Sequence, residues 1–174
     1  MCGFVASFSP DAKRPLGNKT LRRMCDVMAH RGPDHYGSYI DDHVALGHRR
    51  LSVIDLTDAA NQPFTKDHLT IVYNGEVYNY LELAQELEDR HGSRFRTRSD
   101  VEVVVEAYEK LGHACVERFN GMFGFAVWNA RDRTLFVARD RLGVKPLFYL
   151  RRGGSYTFAS DFKALWEVHA PSSN

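Results

Sequence analysis

Short apolar runs bounded by turn residues dominate the chain and predict strands. They span residues 3–8, 44–47, 51–54, 69–73, 76–78, 123–128, 135–138, 146–151 and 156–159. Asn74-Gly75 separates two of these runs, and this dipeptide is a strong signal for a hairpin with a type I′ turn. The spacing therefore predicts a hairpin at this point and mainly antiparallel pairing, rather than an all-parallel sheet.

Apolar residues at helical spacing predict three helices and a short fourth one. The three sets are Leu21, Met24, Cys25 and Met28; Tyr80, Leu83, Ala84 and Leu87; and Val101, Val104, Val105, Tyr108 and Leu111. Ser99 or Asp100 can cap the third helix and Gly112 can end it, while residues 163–168 form the short last helix. Many strands with few helices between them favour an α+β layered fold.

Length and composition describe one ordinary globular domain. The chain has 174 residues, of which 44% are apolar and 26% are charged, and these values argue against disorder and coiled coil. A formal charge of +1 gives no reason to expect a nucleic-acid partner. We place the domain at residues 2–168 and expect residues 169–174 to form a tail or a terminal extension.

The sequence also argues against membrane insertion, export and metal binding. Its longest strongly apolar stretch, residues 122–128, is far shorter than the roughly 20 residues of a spanning helix. Cys2, Cys25 and Cys115 are far apart and form no C-x-x-C motif, so neither a disulfide framework nor a zinc site is expected. The eight histidines show no metal-binding spacing, and the predicted compartment is the reducing cytoplasm.

Cys2 is the strongest candidate for a catalytic nucleophile. Removal of Met1 would make it the first residue of the mature chain, with a thiol and a free α-amine together. That amine has a reference pKa near 7.7–8.0, close enough to neutrality to exchange a proton with the thiol. The competing interpretation is a cysteine that serves only as a small apolar residue.

A series of sequence blocks resembles the class II glutamine amidotransferases of the asparagine synthetase type, within the N-terminal-nucleophile hydrolases. The blocks are Met1-Cys2-Gly3-Phe4-Val5, His30-Arg31-Gly32-Pro33-Asp34, His48-Arg49-Arg50-Leu51-Ser52-Val53-Ile54-Asp55, Gln62-Pro63-Phe64, Asn74-Gly75-Glu76-Val77-Tyr78-Asn79, Ser99-Asp100-Val101-Glu102, Asn120-Gly121-Met122-Phe123, Arg139-Asp140-Arg141-Leu142-Gly143-Val144-Lys145-Pro146-Leu147 and Lys163-Ala164-Leu165. They follow the family's order over essentially the whole chain.

The resemblance implies a fold and a reaction. The implied fold is a four-layer αββα sandwich of two mainly antiparallel sheets. The implied reaction is hydrolysis of the side-chain amide of glutamine through a thioester on Cys2, which gives glutamate and ammonia. A thiol is intrinsically nucleophilic, so no metal or organic cofactor is expected in this chain.

The same resemblance assigns an oxyanion hole to Asn74 and Gly75. The Asn74 side-chain amide and the Gly75 backbone N–H would stabilise the charge that develops on the substrate oxygen. The alternative is that this dipeptide only makes the tight turn described above. Both roles are compatible, since a turn could fix the two donors.

Five further residues would bind the substrate in the family picture. Arg50 would hold the α-carboxylate through its guanidinium fork, which a lysine could not reproduce. Glu76 and Asp100 would bind the α-ammonium group, although Asp100 could instead cap a helix. Backbone groups of Leu51 and Val53 would complete the pocket.

The phosphate-loop motif S-G-G-x-D-S of the family's synthetase domain is absent from this sequence. ATP and magnesium would belong to that missing domain, so ammonia would pass to a synthetase domain or subunit, for asparagine synthesis or a related amidation. Two alternatives stay open: a catalytically silent module that binds a partner, and a hydrolase of a different amide. The oligomeric state, a homodimer included, is also open.

Overall fold

The computed structural model describes residues 1–12, 16–52 and 57–168. In chain order the elements are β1 (Gly3–Phe8), α1 (Asn18–Asp26), β2 (His35–Ile40), β3 (Val44–Arg50), β4 (Phe64–Lys66), β5 (Leu69–Val77), α2 (Tyr80–His91), α3 (Asp100–Leu111), α4 (Cys115–Arg118), β6 (Gly121–Asn129), β7 (Thr134–Arg139), β8 (Phe148–Arg152), β9 (Ser155–Ala159) and α5 (Phe162–Trp166). The predicted tail at residues 169–174 lies outside the described residues, as does Val53.

Two antiparallel sheets form the centre of the domain. The first has the strand order β2-β3-β1-β9-β8 and the second the order β4-β5-β6-β7. In the first sheet, β1 pairs with β3 on one side and β9 on the other, with Val5 opposite both Gly47 and Ala159. In the second sheet, β5 and β6 pair along their full lengths, with Asn74 opposite Gly124.

Helices cover the outer face of each sheet. Leu21, Met24 and Cys25 of α1 pack with Ala164 and Leu165 of α5 over the first sheet. The apolar faces of α2 and α3 pack on the second sheet, where they form the largest apolar cluster of the described residues. The layers are therefore helix, sheet, sheet and helix, which confirms the predicted four-layer α+β architecture.

Alternate side chains of the strands fill the space between the sheets. Alternate residues of β1, β3, β5 and β6 point into it, and the fully buried members include Phe4, Leu46, Val72, Ala126 and Trp128. Because side chains along a strand alternate between its two faces, the intervening residues point to the helices instead.

The hairpin predicted at Asn74-Gly75 is wrong. Both residues lie inside β5, which continues to Val77, and neither has the positive φ that a type I′ turn requires. A Cβ on Gly75 would lie 2.7 Å from the Phe123 Cα, so the glycine allows close approach of β6 rather than a turn. Tertiary pairing thus overrides the local turn signal.

The sequence prediction also missed β2 and β4. The six residues of β2, His35–Ile40, are mostly polar or small and show no apolar alternation. Their partner β3 supplies the apolar side chains and pairs with β2 along its whole length. None of the described helices is long and apolar enough to cross a bilayer.

Candidate active site

A cavity of about 260 Å³ opens at one end of the space between the sheets. Seven of the eight predicted site residues line it, namely Cys2, Arg50, Leu51, Asn74, Gly75, Glu76 and Asp100. The eighth, Val53, lies outside the described residues. Segments far apart in the sequence meet here because the ends of β1, β3 and β5 and the start of α3 converge on this cavity.

The Cys2 thiol lies directly before β1 and contacts the backbone of Leu51. Leu51 N–H donates to Cys2 Sγ at 3.4 Å, and the thiol is 3.7 Å from the Leu51 carbonyl oxygen. Arg31 Nε donates to the Cys2 carbonyl oxygen at 3.1 Å. Burial raises the pKa of the Cys2 thiol, and the Leu51 N–H, the N-terminal ammonium and the Arg50 guanidinium oppose that rise.

Met1 also lines the cavity, beside Cys2. Its side chain is more than half exposed, and Lys145 Nζ lies 3.3 Å from Met1 Sδ. With Met1 in place, the nitrogen of Cys2 belongs to a peptide bond and cannot act as a base. Chemistry that uses the α-amine of Cys2 therefore requires removal of Met1.

The outer edge of β5 faces the cavity. Tyr78 N–H donates toward β6, to the Asn120 carbonyl, so the odd-numbered residues of this stretch direct their N–H groups away from β6. Two of those groups bind buried side chains: Tyr73 N–H donates to Gln62 Oε1 at 2.6 Å, and Val77 N–H donates to Asp100 Oδ2 at 3.1 Å. Gly75 N–H lies between them, and nothing in the described part of the chain accepts from it.

Asn74 presents a second donor without a partner. The residue is 1% exposed, and its Nδ2 makes no hydrogen bond to any described residue. A buried amide that lacks partners costs about 1–3 kcal/mol, so such a group is unusual unless something else binds it. Asn74 Nδ2 and Gly75 N–H are therefore two preformed donors beside the thiol of Cys2.

Arg50 ends β3 and is almost completely buried. Its Nη1 donates to the Thr57 carbonyl at 2.9 Å and to Asn61 Oδ1 at 2.6 Å, which holds the guanidinium against the loop on that side of the cavity. The neighbouring Arg49 points to the opposite face of β3 and pairs with Asp26. Strand alternation therefore selects Arg50, not Arg49, for the cavity.

Asp100 joins α3 to the cavity wall. Its Oδ2 accepts from the Tyr73 hydroxyl at 2.7 Å and from Val77 N–H, while the Ser99 side chain accepts from Val101 N–H and caps the helix. Burial raises the pKa of Asp100, although these two hydrogen bonds oppose the rise. Together with Glu76, Asp100 gives the cavity two carboxyl groups across from a guanidinium.

The comparisons with known proteins agree with this arrangement. A family model described as "Glutamine amidotransferase domain" matches residues 1–174. The chain belongs to this family. Asparagine synthetase [glutamine-hydrolyzing] 3 of Bacillus subtilis is 41% identical over 169 residues, which make up 95% of this chain and 27% of that protein. The chain thus spans about a quarter of the length of the relatives it matches.

A second relative and a solved structure extend the comparison. Amidase chry2 of Gibberella zeae is 36% identical over 179 residues, covering 94% of this chain and 26% of that protein. The glutamine phosphoribosylpyrophosphate amidotransferase of B. subtilis, solved with ADP and GMP, superposes with a TM-score of 0.79 at 22% identity. That match covers 97% of this chain and 44% of the other, and it shows the shared fold.

Sequence reasoning did not assign several residues that line this cavity to the site, among them Gln62, Tyr73, Met122 and Lys145. Tyr73 closes an apolar run and was indistinguishable from a core residue. The other three belong to blocks that resemble the family, but nothing in their spacing indicates a cavity. Among the described residues, no group of His, Cys, Asp and Glu side chains is arranged to hold a metal ion.

Proposed function

We propose that this chain hydrolyses the side-chain amide of glutamine to glutamate and ammonia. The observation that supports this function best is a pair of donors in the same cavity as the Cys2 thiol. Asn74 Nδ2 has no hydrogen-bond partner among the described residues, and no hydrogen bond to a described residue is seen for the outward Gly75 N–H. A nucleophile beside two preorganised donors is the arrangement that acyl transfer requires. The names of the asparagine synthetase relatives supply glutamine as the substrate to test.

The reaction begins once Met1 has been removed. The α-amine of Cys2 takes the thiol proton while the sulfur attacks the carbonyl carbon of the amide, and the carbon–sulfur bond forms. The proton then passes to the leaving nitrogen, the carbon–nitrogen bond breaks and ammonia departs. Water attacks the resulting thioester, which releases glutamate and restores the thiol. These steps use neither a metal nor an organic cofactor.

The tetrahedral intermediate places negative charge on the former amide oxygen. Asn74 Nδ2 and Gly75 N–H would bind that oxygen, and neither donor needs to leave a partner in the described part of the chain to do so. Loss of one such donor typically lowers the rate by about 10²–10³-fold.

Charges around the cavity suit a free amino acid. Arg50 would bind the α-carboxylate, while Asp100 and Glu76 would bind the α-ammonium group. Backbone groups of Leu51 and Val53 would complete the contacts. This pattern favours glutamine over amides that lack either charged terminus.

We further propose that ammonia passes to a synthetase domain or subunit, for asparagine synthesis or a related amidation. A separate apolar groove of about 450 Å³ between β8 and α5 exposes Tyr149, Phe162 and Trp166, and exposed aromatic surface of this kind marks protein contacts. The relatives are nearly four times as long as the matched part, so we assign the groove to their synthetase portion. A homodimer through the same face is the competing arrangement, and the mass of the protein in solution distinguishes the two.

Domain limits and compartment complete the proposal. We place the glutaminase domain at residues 2–168 and residues 169–174 outside it, with ATP and magnesium assigned to the synthetase partner. The three cysteines are free thiols in the structure, which suits the reducing cytoplasm.

The first experiment measures intact mass and ammonia release on the same protein sample. We expect loss of Met1 together with glutamine turnover, and no detectable turnover in Cys2→Ala. The melting temperature of Cys2→Ala should stay nearly unchanged, because the terminal thiol contributes little packing. The matched control is Cys25→Ala, which removes a fully buried thiol on the other face of the first sheet and should lower stability but not turnover.

Three outcomes would contradict the proposal. Turnover retained in Cys2→Ala would exclude Cys2 as the nucleophile. Correct processing without turnover would favour a silent module that binds a partner. Faster turnover of an amide without a free α-carboxylate would contradict the role of Arg50 and indicate a different amide, a point that the relative named amidase chry2 makes worth testing.

A further inference from the structure

The backbone just before Asn74 lacks a strand partner on its outer side. Strand β4 pairs only with residues 69–71 of β5 in the described structure. From Tyr73 onward, the outer N–H and C=O groups of β5 need other partners, because a buried backbone group without one is costly. At Tyr73, two side chains bind these backbone groups.

His48 binds the carbonyl group of Tyr73. Its ring is completely buried, and its Nε2 lies 3.0 Å from the Tyr73 oxygen. A carbonyl oxygen only accepts, so Nε2 carries the hydrogen and the imidazole donates. Nδ1 has no hydrogen-bond partner among the described residues, and burial lowers the pKa of His48 to about 3, which keeps the ring neutral.

Gln62 binds the N–H group of the same residue. Its Oε1 accepts from Tyr73 N–H at 2.6 Å, and its side chain is almost completely buried. The backbone of Gln62 packs closely against Gly37 of β2, where an added Cβ would clash with the Gln62 carbonyl oxygen. Gln62 and His48 thus bind both polar groups of Tyr73 on the outer side of β5.

We propose that His48 and Gln62 are positioning residues for the oxyanion hole. They fix the peptide groups of Tyr73 and thereby the location of the next two residues, whose Asn74 Nδ2 and Gly75 N–H bind the developing charge. Neither residue touches the substrate in this proposal. The inference rests on the proposed glutamine hydrolysis and adds the residues that make its donors rigid.

A purely structural role would not require a histidine at this position. Leu46, two residues earlier on the same face of β3, fills the same layer between the sheets with an apolar side chain. His48 carries an unpartnered Nδ1 into that layer, which is a cost that leucine would avoid. The hydrogen bond to Tyr73 is the contact that only the histidine provides.

The test compares His48→Leu with His48→Gln, which retains a side-chain N–H donor. We expect kcat for glutamine to fall about 10- to 100-fold in His48→Leu, because a small displacement of preorganised donors has effects of this size. KM should change less than threefold, and His48→Gln should recover most of the rate. Gln62→Met, which removes the acceptor for Tyr73 N–H, should behave like His48→Leu.

A binding measurement separates positioning from general damage. The Cys2 thiol adds to the aldehyde of glutamate γ-semialdehyde: the carbon–sulfur bond forms and the thiol proton passes to the α-amine or to the former carbonyl oxygen. The oxygen of this tetrahedral hemithioacetal lies where the oxyanion of the intermediate would lie, whereas glutamate forms no such adduct. We expect affinity for the aldehyde to fall by the same factor as kcat, with affinity for glutamate within about twofold of the unmodified protein. Leu46→Ala is the control for lost stability, and it should alter neither affinity.

The outcomes separate this inference from the function on which it rests. Unchanged kcat and aldehyde affinity in folded His48→Leu and Gln62→Met would overturn the positioning role. Equal losses in Leu46→Ala would do the same. If His48→Leu fails to fold, His48→Gln and Gln62→Met carry the test. A processed, unmodified protein that releases no ammonia from glutamine would overturn the proposed function itself.

Discussion

The space between the two sheets is filled differently at its centre and at its cavity end. At the centre, β1, β3 and β5 contribute Phe4, Leu46 and Val72, which are fully buried and apolar. Nearer the cavity, the buried side chains on the same faces of β3 and β5 are polar or charged: His48, Arg50 and Asn74. The backbone geometry is continuous, and only the chemistry of the inward residues changes.

This difference separates stability from function along single strands. Apolar burial at the centre stabilises the sandwich, at roughly 25 cal/mol for each Å² removed from water. The cavity end buries polar groups, and some of them, Asn74 Nδ2 and His48 Nδ1 included, have no hydrogen-bond partner among the described residues. Such groups lower stability, so the cavity end depends on the centre to remain folded.

The largest expected effect on stability comes from the centre. Leu46→Ala should lower the free energy of unfolding by about 2–5 kcal/mol, because it leaves a void in a completely buried layer. Urea denaturation measures that loss. Well below the melting temperature, glutamine turnover of Leu46→Ala should stay within twofold of that of the unmodified protein. A loss of turnover as large as that caused by substitution of a cavity residue would contradict the distinction between the two regions.

Asn74→Ala should have the opposite profile. We expect kcat to fall about 10²–10³-fold with little change in KM, because the lost donor acts on the intermediate. The free energy of unfolding should change by less than about 1 kcal/mol, since the substitution removes an amide nitrogen that has no partner among the described residues. Steady-state kinetics and urea denaturation on one preparation check both values, and a loss of several kcal/mol would show that Asn74 is a structural residue.

The smallest expected effect is a pH dependence due to His48. Its pKa is about 3 in the folded protein and 6.5 as its ordinary value, so the unfolded chain binds more protons between these pH values. The contribution of His48 to the free energy of unfolding is therefore fully present above pH 6.5 and is lost as the pH falls toward 3. From pH 6.5 to 5, the unmodified protein should lose about 2 kcal/mol more than His48→Gln. Parallel pH curves for the two proteins would contradict a neutral buried imidazole.

Local patterns predicted much of the fold. Apolar periodicity located the start of α2 and both ends of α3 within one residue, although α2 continues four residues beyond Leu87. Gly112 ends α3 as expected, with φ of +58°. The strand runs at residues 3–8 and 123–128 match β1 and most of β6. These elements bury a continuous apolar face, so their period is visible without any knowledge of their partners.

Other features depend on partners that local sequence does not reveal. Asn74-Gly75 has the composition of a turn, yet pairing with β6 extends it into a strand. β2 is a strand because β3 lies beside it, not because of its own side chains. Strand alternation places Arg49 and Arg50 on opposite faces, but it does not say which of them faces the cavity. The choice of Arg50 and the grouping of seven site residues at one cavity came from the resemblance.

His48 and Gln62 show the limit of sequence reasoning most clearly. Both occur in blocks that resemble the family, but their contact with Tyr73 depends on which edge of β5 is open. That edge is open because β4 is three residues long and pairs no further than Ile71. Sequence spacing contains no information about where a neighbouring strand stops.

The open edge of β5 has a consequence for self-association. An unpaired strand edge is a template on which a strand of another molecule can add, and long unprotected edges promote aggregation. Here Gln62 and His48 bind the outward N–H and C=O of Tyr73, and Asp100 binds the outward N–H of Val77. A strand of another molecule therefore finds no continuous row of donors and acceptors. The described edge of β5 thereby leaves the Gly75 N–H open to a small ligand while its neighbours block strand addition.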